Sequence, residues 1–179
     1  MERLQRWLIR RLMRPHLSPK QLLRAMRWYP PLLFQRVVPL GASDDFLTIH
    51  VKIKRSFLNR NLNGTFFGGT ILSAIDPWYG TILWRKCLEV GISLEVWVEA
   101  LEVRFVWATR GDLYLTCHVP PDTWLAIKQV LETEGKLRHT FPIEVYSSEG
   151  LLCVEGRQTL YLRNLVLRPR IQARLPIPS

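Results

Sequence analysis

Residues 68–88 constrain this chain more than any other stretch. They are apolar on nearly every side and contain one acid, Asp76. The spacing predicts a single long helix. A helix that is apolar almost all round has to be enclosed by the rest of the domain. The acid inside it is costly to leave charged unless it is paired, hydrogen-bonded or used chemically.

The flanking segments supply the enclosure. Period-two patterning predicts strands at about 34–42, 45–54, 92–107, 113–119, 140–147 and 151–163. In the second, Leu47, Ile49, Val51 and Ile53 alternate with Phe46, Thr48, His50, Lys52 and Lys54. Residues 55–66 read as an Asn- and Gly-containing loop. Pro120-Pro121-Asp122 opens a short helix, about 123–134, which Gly135 ends as a C-cap glycine. Ser147-Ser148-Glu149-Gly150 reads as a hairpin turn. Ahead of the strands, Leu4, Trp7, Leu8 and Leu12 recur at helical spacing with arginines opposite. Ser18-Pro19 starts a second helix, with Ser18 as N-cap, that continues through Leu22, Leu23 and Met26 to Pro30-Pro31. The order is therefore two strands, a buried helix, then four strands with a helical insertion. This is an α+β architecture in which a curved antiparallel sheet wraps one long central helix, the hot-dog fold. The expected organisation is N-terminal basic amphipathic helices at 1–32, the hot-dog domain at 33–164 and a basic, proline-containing tail at 165–179.

With 47% hydrophobic and 22% charged residues, the 179-residue chain can bury a core. Its longest apolar runs fall short of the roughly 20 residues that span a bilayer. The net charge of +10 sits mostly at the ends. Arg3, Arg6, Arg10, Arg11, Arg14, Lys20, Arg24 and Arg27 face one acid, Glu2, and Arg163, Arg168, Arg170 and Arg174 crowd the tail. Basic ends on a near-neutral body suit an anionic partner: lipid head groups, nucleic acid or an acidic cosubstrate. The interleaved aromatics match no RNA-binding module, so nucleic acid is not expected. Cys87, Cys117 and Cys153 are an odd number without short spacing, which favours a reducing compartment. The first 14 residues lack the uncharged core of a secretory signal. Their arginines also suit a mitochondrial presequence, though Ser is scarce.

Gly68-Gly69 at the helix start leaves backbone N–H groups free, either to meet a developing oxyanion or simply to let the helix pack closely on the sheet. Asp76 has three readings. It is a catalytic carboxylate, an N-cap for a second half-helix opening at Pro77, or the partner of an arginine. Pro77 has no N–H, so the helix should bend beside the acid. Period-two counting puts Glu99 on one strand face with Trp97, Leu101, Val103 and Phe105, where aromatics should raise its pKa. The other reading is a strand residue reaching solvent. Trp78, Trp84, Trp97 and Trp107 read as core or as lining of an acyl pocket. His50, His118 and His139 have no partner at metal-ligand spacing. No nucleophile elbow or P-loop occurs. No metal and no cofactor are expected.

The element order and residues 61–76 together resemble the hot-dog thioesterases, specifically the PaaI-like acyl-CoA thioesterase group. That group has Asn, then His-Gly-Gly, then Asp nine residues after the His. Here Asn61, Phe67-Gly68-Gly69 and Asp76 take those places. The nearest resemblance is to an uncharacterised bacterial branch with Phe-Gly-Gly and Asp-Pro in the central helix. It extends to Arg60-Asn61, Trp97, Arg104-Phe105 and the helical insertion, over roughly residues 20–164. Phe67 stands where the enzymes have His, and Val98 where relatives carry a polar residue.

The resemblance implies catalytic roles for three residues. Gly68 offers its N–H to the thioester carbonyl. Asp76 acts as nucleophile or as general base for water. Asn61 positions that water or the acyl group. Phe67, Gly69, Glu99 and Trp97 are the expected substrate contacts. The site would lie between subunits, Asp76 of one chain facing Gly68 of the other, so a homodimer is implied, with a tetramer as a further option. The expected function is hydrolysis of an acyl-CoA or acyl-carrier thioester in the cytoplasm. The alternative is a non-catalytic hot-dog protein that binds an acyl chain or lipid, with the N-terminal helix on an anionic membrane surface.

Overall fold

The computed structural model describes residues 17–169. The expected helix over 4–13 and the end of the tail lie outside them. Two helices lead in: α1 (Pro19–Met26) and α2 (Pro30–Phe34). Ser18 caps α1 in a reciprocal pair. Its hydroxyl accepts from the Gln21 N–H, and the Gln21 side chain accepts from the Ser18 N–H. Leu22, Leu23 and Met26 of α1 are buried in the same apolar cluster as the sheet.

One six-stranded antiparallel sheet follows in the order β1-β2-β4-β5-β6-β3. Its strands are β1 (Val37–Ala42), β2 (Thr48–Ile53), β3 (Leu94–Phe105), β4 (Leu113–His118), β5 (Lys136–Ser147) and β6 (Leu152–Asn164). β5 starts some four residues before the expected position, directly after Gly135. That glycine has φ 77°, the left-handed backbone that ends the preceding helix α5 (Pro121–Thr133). In β2, Ile49, Val51 and Ile53 face the core as the alternation predicts. Phe46 does not keep to the outer face. It precedes the strand in a turn with φ 58° and is 1% exposed, so the turn inverts its direction.

The central helix runs as two consecutive pieces, α3 (Gly68–Ile75) and α4 (Pro77–Glu89). Ala74, Ile75, Trp78, Ile82 and Leu83 are fully buried beneath the sheet. Pro77 interrupts the ladder as expected, but Asp76 keeps helical dihedrals (φ −48°, ψ −52°) and its N–H still donates to the Leu72 carbonyl. No helix among the described residues is long and apolar enough to cross a membrane.

Among the described residues, β3 lies at one margin of the sheet, pairing only with β6 and leaving its other edge unpaired. A bulge between Val98 and Ala100 shifts its register. Leu94, Val96 and Val98 pack on the core before the bulge, and Leu101 and Val103 after it. The inward positions thus change from even to odd numbers.

Candidate functional site

Asp76 lies where the helix passes under β3. Asp76 lines two adjoining crevices. One, of about 560 Å³, is bounded by Gly80, Thr81 and Trp84 of α4 and by Val96, Trp97 and Val98 of β3. The other, of about 350 Å³, is bounded by Tyr29, Leu32, Leu72 and Leu101. In the single chain Asp76 is open to these crevices rather than buried. Their apolar walls still displace enough water to push its carboxyl above the usual carboxylate range.

The Asp76 side chain makes no capping hydrogen bond, which removes the N-cap reading. Nor does it form an ion pair among the described residues. What holds this residue is its backbone. The Gln158 side-chain amide, from the inward face of β6, donates to the Asp76 carbonyl at 2.8 Å. Gln158 is fully buried, and its own side-chain oxygen has no partner among the described residues. The sequence reading missed Gln158. Its signal was a polar residue in step with Leu160 and Leu162 on an apolar face.

Gly68 opens α3 about 12 Å along the helix from Asp76, at 1.5 Å per residue. Phe67, the residue before it, provides no side-chain cap. The Gly68 and Gly69 N–H groups have no hydrogen-bond partner among the described residues. Neither glycine has a positive φ, so the backbone does not demand glycine here. A Cβ on Gly68 would sit 3.4 Å from the Phe105 ring, in ordinary contact. One on Gly69 would come within 2.5 Å of the exposed Phe67 ring. Close packing on the sheet backbone is therefore not what keeps Gly68 small.

Gly68 lines a third pocket, of about 440 Å³, with Asn61, Ile71, Phe105 and Trp107. Asn61 reaches this pocket with its side chain already committed. Its amide nitrogen donates to the Thr65 hydroxyl at 2.8 Å and the Phe66 carbonyl at 3.1 Å. Its oxygen accepts from the Asn63 and Thr65 N–H groups at 3.0 and 3.1 Å. Two donors and two acceptor sites are thus used within the loop. Asn61 shapes the turn that delivers Gly68, with no side-chain hydrogen bond left for a water.

The structure therefore brings Asn61, Phe67, Gly68 and Gly69 together at one end of the helix, and Asp76 and Trp97 at another place along it. Within one chain the two groups do not share a pocket. Glu99 joins neither. It sits at the bulge and pairs with Arg138 at 2.6 Å, and that guanidinium holds its carboxyl below the usual range. The expected rise in its pKa is corrected. The bulge leaves Glu99 on the outer face, away from the inward Leu101 and Val103 with which strict alternation grouped it. Trp97 is likewise on the outer face, stacked on Tyr161 with ring centres 4.4 Å apart. Trp84 reaches the Asp76 crevice, Trp107 the Gly68 pocket, and Trp78 is core.

Comparison with known proteins fits this architecture. A search of curated proteins finds no match. Among solved structures, a Pseudomonas aeruginosa protein of unknown function, described as a "Probable Thioesterase", superposes with TM-score 0.72 at 12% identity, covering 82% of this chain and 96% of its own. A protein of unknown function from Chlorobaculum tepidum gives 0.69 at 19%, covering 83% and 98%. A Haemophilus influenzae thioesterase gives 0.59 at 13%, covering 86% and 96%. At these identities the likeness establishes the hot-dog fold. Residues 42–162 match the model of a domain of unknown function, DUF4442. The chain belongs to the DUF4442 family, on the hot-dog fold that thioesterases use.

Proposed function

We propose that the protein hydrolyses an acyl thioester, carried on CoA or on a carrier protein, at a site completed by two copies of the chain. The observation that carries this reading is the pairing of unused groups. Asp76 has a raised pKa and no side-chain partner among the described residues, and the Gly68 helix start presents unpaired N–H donors. Each lies in its own apolar pocket, about two helical turns apart. A two-fold assembly would set the Asp76 of one protomer opposite the Gly68 of its partner. The unpaired edge of β3, 12 residues long, suits such an assembly, because an open edge readily pairs with a second strand.

In this mechanism the thioester carbonyl oxygen rests against the Gly68 N–H, which stabilises the charge that develops as the tetrahedral intermediate forms. One such donor is worth about 2.7–4 kcal/mol in a site shielded from water. Asp76 takes a proton from the water that attacks the carbonyl carbon, or attacks that carbon itself to give a mixed anhydride that water hydrolyses once the thiolate has left. The C–S bond then breaks and the thiolate leaves, taking up a proton. An elevated carboxyl pKa makes Asp76 a stronger base than an ordinary carboxylate. Phe105, Trp107 and Ile71 offer the acyl chain an apolar wall.

A non-catalytic acyl-binding role is favoured by one observation. Phe67, 58% exposed beside the glycines, gives the helix start a greasy ring in place of an imidazole. Free thiol released from a panel of acyl-CoAs, wild type against Asp76→Ala, separates the two. Turnover that depends on Asp76 supports hydrolysis. Co-purified acyl species without turnover support binding alone. We further assign the protein to the cytoplasm, with the basic N-terminal segment touching anionic membrane. Flotation with anionic liposomes, with and without residues 1–16, tests that contact.

A further inference from the structure

A second pocket adjoins the Gly68 pocket and has a different chemistry. It has a volume of about 430 Å³, and Arg55, Arg60 and Arg110 line it together with Asp112. The acid is already spent. One Asp112 oxygen meets the Lys52 ammonium at 2.7 Å, and the other accepts the Arg55 backbone N–H at 2.7 Å. Three guanidinium groups remain without a carboxylate partner among the described residues.

Their local contacts do not use up their donors. Arg110 makes no hydrogen bond or ion pair among the described residues. Arg60 lies over the Phe57 ring at 5.5 Å, which leaves its N–H fork free. Arg55 gives one terminal nitrogen to the Gly64 carbonyl at 3.0 Å, while its Nε is buried and has no acceptor among the described residues. A buried charged donor without an acceptor is uncommon unless a ligand supplies one. Like charges gathered in one concavity repel each other, and an anion between them relieves that repulsion.

The position adds the second half of the argument. Arg60 precedes Asn61, and Arg110 follows Thr109; Asn61 and Thr109 both line the Gly68 pocket. The Arg110 Nε also lies 4.0 Å from where a Cβ on Gly64 would be, in the loop that delivers the helix start. The basic pocket and the apolar pocket therefore share one wall.

We propose that Arg55, Arg60 and Arg110 bind the phosphate groups of the thiol carrier whose acyl end lies at Gly68. This rests on the thioester reading above and names the ligand chemistry: a phosphorylated pantetheine arm, from free CoA or from a carrier protein. Guanidinium forks bind phosphate oxygens two at a time, so the geometry favours phosphate over a simple carboxylate.

Calorimetric titration of the full chain tests it, with coenzyme A and pantetheine as probes and wild type compared with the Arg60→Gln/Arg110→Gln double variant. Neither side chain supports the fold through a hydrogen bond or ion pair, and an unchanged thermal midpoint confirms that the variant is intact. Wild type should bind coenzyme A at least about 10-fold more tightly than pantetheine, and the variant should lose about 10-fold for coenzyme A. Arg110→Lys should keep part of that affinity. Equal coenzyme A affinity in wild type and variant overturns the proposal, as does equal wild-type affinity for coenzyme A and pantetheine, unless the carrier arm below responds. That arm uses apo and holo acyl-carrier protein. A preference for the holo form that the variant loses identifies the carrier as the source of the phosphate. Failure of wild type to bind any of these probes overturns the proposal outright. Arginine-dependent binding of coenzyme A without thiol release from any acyl-CoA leaves this site standing and removes the hydrolase reading. Thiol release with binding indifferent to the arginines does the opposite.

Discussion

The Gln158 side-chain amide donates a 2.8 Å hydrogen bond to the backbone carbonyl of Asp76. It ties the acid at the midpoint of the central helix to the inner face of β6, at the point where Pro77 interrupts the helical ladder. The carboxylate itself has no partner among the described residues. Position and reactivity are thus handled by different atoms of one residue.

Gln158→Leu separates those roles. It removes a hydrogen bond worth about 1 kcal/mol, but also a buried acceptor that has no partner. Stability by urea unfolding should change by no more than about 1 kcal/mol. Turnover should fall roughly 10-fold, because an error in placing the catalytic group of about 1 Å costs more than that.

Asp76→Asn should reduce kcat about 100-fold or more, on the scale of removing a catalytic base. The pH profile supplies the sign. The folded-state pKa of Asp76 is raised by desolvation, so its protonated form is the favoured one in the fold. Its contribution to stability is complete below the unfolded pKa and is lost as pH rises through the folded pKa. At pH 7.5 the charged form is therefore disfavoured, and Asp76→Asn should raise the thermal midpoint slightly, the effect being reduced by the residue's exposure to solvent, with no gain near pH 3. In wild type, kcat/KM should fall with acid at a pH above the ordinary carboxylate range, and the residual activity of the variant should lack that limb.

Gly68→Ala tests whether the glycine serves catalysis or packing. The backbone there suits any residue, and the added methyl meets only the Phe105 ring at 3.4 Å. Alanine should leave stability unchanged or raise it by about 0.5–1 kcal/mol, since glycine is the poorer helix former. Activity should drop about 100-fold as the methyl obstructs the approach to the N–H. Loss of stability in parallel with activity would return Gly68 to a packing role.

Gly156→Ala should be harmful for a different reason. A Cβ there would lie 2.1 Å from the Glu102 carbonyl oxygen and 2.9 Å from the Val103 Cα, both backbone atoms of β3. The β3–β6 ladder would have to part, at a cost of about 3 kcal/mol. Chemical denaturation gives that number directly, and a change under about 0.5 kcal/mol would contradict the close approach.

Much of the architecture was legible because its signals are local. Ser18-Pro19 gave a capped helix start, Gly135 a helix end, and residues 147–150 a hairpin turn, each determined by the residues concerned. The enclosed helix followed from its lack of a polar face. What was missed depended on long-range contact or on one inserted residue. The bulge after Val98 reverses the parity of β3, so counting by two put Trp97 and Glu99 on the wrong face. The saturation of Asn61 depends on the path of its loop, which spacing does not reveal. The arginine pocket joins residues 55, 60 and 110, and only the fold brings them together.

The central claim is that Asp76 and Gly68 act from opposite protomers. Co-expressing Asp76→Asn with Gly68→Ala and isolating the mixed dimers tests it most directly. In a mixed dimer of the proposed kind, both defects fall in one site and the other site is intact. Thiol release should then recover to about half the wild-type rate per dimer, far above either variant alone. Mixed dimers no more active than the parent variants would contradict the account.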